Sequence, residues 1–181
     1  MKIFLILNPY DIKITEFAQW NHRETTKAVV FDENNNIGIL YAKEMGRYKL
    51  PGGKIEDNEN IEQALKRECL EELGVEIEII DKIGMVTEIR KEKKLCQISY
   101  NFVAKTISKK YCPVFSEKEK ELGFSIEWVE LRNVLSYFTK LNDDLICSLD
   151  NQLAEKRDFC ILKEGLRLYK KNNSKYSSKN N

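Results

Sequence analysis

Residues 53–75 read GKIEDNENIEQALKRECLEELGV. A polar, turn-prone opening runs into apolar residues at helical spacing, which predicts a helix from Asn60 to Leu73. Asn60 serves as N-cap, Glu62 lies in the first turn, and Gly74 ends the helix in a left-handed cap. At about 100° per residue, with Ile61 as zero, Ala64 lies near ~300°, Leu65 near ~40°, Cys69 near ~80° and Leu73 near ~120°. That is the face a globular protein buries. On the same arithmetic Glu68 falls near ~340°, Glu71 near ~280° and Glu72 near ~20°, within or at the margin of that face. An ordinary amphipathic helix carries its acids on the other side. Three carboxylates at i, i+3 and i+4 repel one another, and partial burial adds a desolvation cost. Protons or cations must neutralise such a cluster, and hard divalent cations bound through oxygen suit it. The alternative is a solvated acidic helix end with Lys66 and Arg67 as counter-charges.

Upstream, Leu50, Pro51, Gly52 and Gly53 form a tight loop through which neither helix nor strand continues. Before it, Lys27 to Phe31 and Ile37 to Ala42 predict two strands flanking an asparagine-rich turn at Asp32 to Asn36. Downstream, Val75 to Ile80, Ile83 to Arg90 and Gln97 to Thr106 predict strands, the last two joined by a charged turn at Lys91 to Lys94. An acidic loop, Ser116 to Phe124, precedes a short strand from Ser125 to Leu131. From about Asp143 to Tyr169, apolar residues (Leu153, Phe159, Leu162, Leu166, Tyr169) recur at helical spacing. Residues 171–181 are polar, basic and nearly free of apolar side chains, which reads as a disordered tail behind a single domain over 1–170. Strands and helices interleave, so the fold class is α/β or α+β with a mixed sheet.

The composition bounds the chemistry. In 181 residues, 42% are hydrophobic and 33% charged, enough for one sizeable core. Thirty basic and 29 acidic side chains leave a net charge of +1, which argues against a nucleic-acid binder held by bulk positive charge. His22 is the only histidine, so a multi-histidine metal centre is excluded; with no partner in view, it reads as structural or exposed. The cysteines Cys69, Cys96, Cys112, Cys147 and Cys160 are odd in number and never spaced as a pair of metal ligands; they read as packing residues of a reducing compartment. The apolar opening is too short for a signal peptide, and no stretch is long enough to cross a bilayer. A soluble cytoplasmic protein without membrane partners is expected.

The segment also resembles a known family. Gly53, five residues, Glu59, seven residues, then Arg67-Glu68-Cys69-Leu70-Glu71-Glu72-Leu73-Gly74-Val75 matches the box of the Nudix hydrolases, the MutT-related family, at every fixed position. Cys69 is a mild departure, a small hydrophobe where a bulkier one is usual. Leu50-Pro51-Gly52 ahead of the box is similar to the family as well. The resemblance implies a Nudix fold, a mixed sheet sandwiched between helices (α/β/α) with an additional C-terminal helix. It implies hydrolysis of the diphosphate in a nucleoside diphosphate linked to another group, with Mg2+ or Mn2+ as cofactor. Glu68, Glu71 and Glu72 would then be metal ligands, joined by the Gly52 carbonyl. Arg67 would fork a carboxylate, Glu59 or Glu71, and so orient a ligand. The general base would be Glu121 or Glu119 in the acidic loop, or Glu68 of the box.

Around the box, Arg23, Arg47 and Lys49 are candidates for holding substrate phosphate, with Tyr48 and Arg90 as further candidates for phosphate or base. At any one such site a basic residue is more often plain surface. Relatives acting on ADP-ribose often carry a proline past the box, and Arg90 to Lys94 has none. The diadenosine-polyphosphate type carries a tyrosine there, whereas the nearest here is Tyr100, and the motif of the coenzyme A type is missing upstream. These absences favour a nucleoside triphosphate, normal or oxidised, over ADP-ribose or another nucleotide derivative. A Nudix module that senses a nucleotide without cleaving it is the alternative of a different class, and the intact box counts against it. Partners are the small-molecule substrate and, in a homodimer, a second copy; a monomer is equally compatible.

Overall fold

The computed structural model describes residues 1–139 and 149–177. Among the described residues, seven strands form one sheet: β1 (Ile3–Leu7), β2 (Asn21–Phe31), β3 (Asn36–Ala42), β4 (Arg47–Lys49), β5 (Ile77–Arg90), β6 (Leu95–Thr106) and β7 (Phe124–Glu130). The helices are α1 (Ile14–Phe17), α2 (Ile61–Leu73), α3 (Glu117–Glu121), α4 (Val134–Thr139) and α5 (Leu149–Ser177). The order across the sheet is β1-β5-β6-β2-β3-β4, with β7 also on β3. The sheet is mixed: β1 runs parallel to β5 and β2 to β6, while β5 and β6, β3 and β4, and β3 and β7 are antiparallel.

Alternation along β2 builds two cores. Val29 and Phe31 face α5, where they meet Ile161, Leu162, Leu166 and Tyr169. Ala28 and Val30 face α2 and meet Leu65, Cys69 and Leu73. The outcome is a sheet between helices, the α/β/α arrangement expected, with α5 as the C-terminal helix. Period-2 strands buried on both faces carry apolar residues at both parities, as the run from Ala28 to Phe31 does.

Several elements differ from the sequence reading. β2 begins at Asn21 rather than Lys27, because the polar run 21–26 pairs in register with β6 from Leu95 to Tyr100 and exposes its first residues. The two strands expected over 75–90 are one strand, β5, whose register slips between Ile79 and Asp81 and again between Lys82 and Gly84. Gly84, at φ +137°, absorbs the second irregularity. The acidic loop contains a helix, α3, closed by a capping box in which Ser116 and Glu119 satisfy each other's backbone N–H groups. Residues 171–177, read as the start of a disordered tail, continue α5. No Gly or Pro interrupts them, and extending an existing helix fixes one residue per added hydrogen bond. Residues 178–181 lie outside the described residues, as do Cys147 and the opening of the expected C-terminal helix at 143–148.

Candidate active site

α2 starts where the sequence places it. Asn60 accepts from the N–H groups of Glu62 and Gln63, Gln63 returns a bond to the Asn60 N–H, and Gly74 closes the helix at φ +66°. This fixes the rotation of α2, and with it the direction of its acids. Glu68 and Glu72 are buried among Ala64, Leu65, Cys69 and Leu73, whereas Glu71 stands at the exposed margin. The solvated-helix-end alternative therefore does not describe Glu68 and Glu72.

Against this face lies the loop 50–53, laid along β2. The Thr26 N–H donates to the Gly53 carbonyl at 2.9 Å and the Ala28 N–H to the Pro51 carbonyl at 3.1 Å. The Gly52 N–H donates to Glu72 Oε2 at 2.6 Å. Gly53 gives the Glu68 carboxylate its place, since a Cβ there would stand 2.6 Å from Glu68 Oε2. Among the described residues, the Gly52 carbonyl accepts no hydrogen bond.

Arg67 organises the rest. Its Nε and Nη2 fork Glu59 at 3.0 and 2.6 Å, which resolves the choice left between Glu59 and Glu71. Its Nη1 donates to both Glu68 Oε1 and Glu71 Oε2 at 2.9 Å, and Nη2 also reaches the Lys54 carbonyl at 3.0 Å. One guanidinium thus holds three carboxylates. Its hydrogen bond holds Glu59 below the usual carboxylate range. Burial pushes Glu68 up, only partly opposed by Arg67. Burial also pushes Glu72 up, with Lys49, the Gly52 N–H and Lys27 pulling the other way.

Among the described residues, no three acidic, cysteine or histidine side chains already converge on one point. Glu68 and Glu71 share Arg67, and Glu72 turns to the Gly52 N–H. The donor set nonetheless fits a hard divalent cation: two carboxylates side by side on one guanidinium nitrogen, and the unpaired Gly52 carbonyl beside the third.

The remaining candidates separate by environment. Arg23 is exposed and has charged neighbours in Arg90, Arg157, Glu68 and Glu88. Arg47 is half-buried with its Nη2 on the Met45 sulfur at 3.9 Å. Lys49 is beside Glu72, its Nζ 4.2 Å from the centroid of the Phe124 ring. Tyr48 donates to Glu127, lies tilted against Tyr41 and edge-on to Tyr137, and packs on the core that α5 covers. Arg90 pairs with Glu88 at 3.1 Å. Glu119 is half-buried, bonded to Ser116, and raises Glu68 by its charge; Glu121 is exposed. His22 is exposed, its Nε2 3.4 Å from the Ala18 carbonyl.

Four charged residues at the base of the loop escaped the sequence reading: Lys27, Glu88, Arg157 and Asp158, all buried. The available signal was a lysine opening the apolar run 27–31, and an Arg-Asp pair at core spacing on a mostly apolar helix face.

A family model described as NUDIX domain matches residues 21–147. An 8-oxo-dGTP diphosphatase of Proteus vulgaris is 45% identical over 53 residues, 27% of this chain and 47% of that protein. A protein of the same name from Buchnera aphidicola is 44% identical over 55 residues, 28% of this chain and 44% of its own length. The chain thus spans less than half the length of these curated relatives. Among solved structures, a NUDIX-family hydrolase of Clostridium perfringens superposes with a TM-score of 0.54 at 16% identity, covering 82% of this chain and 98% of that one. A NUDIX hydrolase of Nitrosomonas europaea gives a TM-score of 0.54 at 17% identity, covering 73% and 88%. Among the described residues, no helix is long and apolar enough to cross a membrane.

Proposed function

The chain belongs to the NUDIX family, and from that premise we propose that it is a divalent-cation-dependent pyrophosphohydrolase acting on a nucleoside triphosphate, normal or oxidised. The observation that carries this reading is the packing of two buried carboxylates, Glu68 and Glu72, against the Gly52–Gly53 turn. Burying acids is costly unless their charge has a use, and a polyphosphate needs positive charge delivered beside a cleft. The partial relatives named 8-oxo-dGTP diphosphatase support an oxidised purine triphosphate as the first substrate to try.

Glu68, Glu71, Glu72 and the Gly52 carbonyl would hold Mg2+ or Mn2+, which neutralises phosphate oxygens and makes water easier to deprotonate. Arg67 keeps Glu68 and Glu71 side by side and is itself aimed by Glu59. Lys49 offsets Glu72. Arg23, exposed near Glu68, is suited to take a phosphate; Arg47 would bind farther along the same side. Glu119, close enough to Glu68 to raise its pKa, is better placed than Glu121 to take the proton from water.

The test is a screen of normal and oxidised nucleoside triphosphates, ADP-ribose, sugar nucleotides and dinucleoside polyphosphates, with products identified. A nucleoside monophosphate plus pyrophosphate is expected from the triphosphates. Chelator should abolish turnover; magnesium or manganese should restore it and calcium restore it poorly, because calcium prefers more ligands at longer distance. Turnover unaffected by chelator sinks the reading. Activity should also rise toward alkaline pH, since Glu68 and Glu72, both shifted upward by burial, must be ionised to serve as ligands. A maximum on the acid side would contradict those roles.

A further inference from the structure

α5 buries a face that runs from Leu153 and Ala154 through Ile161, Leu162 and Leu166 to Tyr169, and three charged residues, Glu155, Arg157 and Asp158, lie within it. The spacing is that of a core-facing helix, and most of the buried positions are apolar. Arg157 and Asp158 are 5% and 1% exposed. A well-packed apolar pair of similar volume would do at least as well for stability there, because buried ion pairs seldom recover their desolvation cost. Packing alone gives no reason for these charges.

Their bonds do. Asp158 Oδ2 accepts from the Leu50 N–H at 3.0 Å and faces Lys27 Nζ at 3.3 Å. Lys27 Nζ in turn donates to the Leu50 carbonyl at 2.7 Å. Both backbone groups of Leu50 are therefore held by one buried ion pair. Arg157 secures Asp158 from behind, its Nε on Asp158 Oδ1 and its Nη1 on Glu88 Oε2, each at 2.7 Å. Gln97 completes Glu88 at 2.9 Å. From Leu50 the chain enters Pro51, which has no N–H and a fixed φ. The carbonyls of Pro51 and Gly53 are tied to β2, the Gly52 N–H is tied to Glu72, and the Gly52 carbonyl is the group left open. Arg157 and Asp158 lie beyond the 21–147 span that the family description matches.

We propose that Asp158, with Lys27, is a positioning residue that sets the Gly52 carbonyl and the Glu72 carboxylate by clamping Leu50. The clamp acts on the site assigned above and rests on that reading for its catalytic consequence. Asp158 touches no reacting atom; it acts through the loop.

The test uses the full chain. Asp158→Asn keeps the side-chain shape and an oxygen for the Leu50 N–H but removes the charge facing Lys27. It should lower kcat by roughly tenfold to a hundredfold and weaken Mn2+ binding, titrated by electron paramagnetic resonance, by about tenfold, as loss of ligand-supporting groups does. KM for the nucleotide should hardly change, and the Leu50 and Gly52 amides should exchange faster with solvent. Arg167→Gln, on the exposed side of the same helix, should leave all four readings as they are. Should Asp158→Asn not fold, Lys27→Met combined with Asp158→Asn removes both charges and leaves none unpaired; the same losses are expected from it. Wild-type kcat, Mn2+ affinity and Leu50 exchange in either variant overturn the clamp, as does a change confined to KM. If the unmodified protein cleaves no nucleotide, the catalytic reading fails while Leu50 exchange still decides the clamp.

Discussion

Glu72→Gln leaves the fold standing and removes turnover by roughly 10²–10³-fold or more, the scale expected when a preorganised electrostatic group is lost. Glutamine keeps the side chain's length and an oxygen for the Gly52 N–H, so the loop contact at 2.6 Å survives. What disappears is the charge. The same variant carries a signature in stability, read by urea unfolding in the presence of chelator. Burial raises Glu72 from 4.5 to about 7. A carboxyl with a higher pKa in the folded state holds its proton more tightly there, so its favourable contribution is complete below about 4.5 and is lost as pH climbs through about 7. Between those values wild-type stability should fall relative to Glu72→Gln, which has no proton to release. Parallel curves for the two proteins across that window, or undiminished turnover by the variant, would remove Glu72 from the site.

What the sequence made legible was local and periodic. The rotation of α2 could be read because Asn60 and Gly74 mark both ends and the apolar residues between them fix one face. From that rotation the inward direction of Glu68 and Glu72 followed. The fork between Arg67 and Glu59, eight positions apart, needed the family resemblance to suggest it, since Glu59 precedes the helix. The ion pair under Leu50 was invisible. Lys27 and Asp158 meet only because β2 and α5 pack face to face, and no short-range rule links positions that far apart in the chain. α3 was missed for a different reason: a helix of five residues has no period to detect, although its cap, Ser116 with Glu119, was present in the sequence. The strand β2 was read short because its first residues are polar, and strand propensity reports burial more than backbone preference.

Two neighbouring glycines should fail in opposite ways, and the contrast tests whether the loop is held by backbone or by side chain. Gly52 sits at φ +127°, a conformation L residues rarely adopt, and a Cβ there would overlap the Thr26 carbonyl oxygen and stand 2.7 Å from Lys27 Cα. Both obstacles are backbone of a buried strand and cannot rotate away. Gly52→Ala should cost about 3 kcal/mol or more, from backbone strain and overpacking together, seen as a large drop in the urea midpoint or as insoluble protein. Gly53 carries no such torsional demand. The nearest atoms a Cβ would meet at that position are the end of the Glu68 side chain, 2.5 Å away at its Cδ. A carboxylate can swing on its χ angles where a strand cannot, so Gly53→Ala should fold with little change in midpoint. It should still lose most of its turnover, because Glu68 is pushed out of the place that Gly53 and Arg67 make for it. If Gly53→Ala unfolds as readily as Gly52→Ala, the fault lies in the loop's path and not in the carboxylate. If it folds and retains wild-type turnover, Glu68 is not needed where the structure puts it.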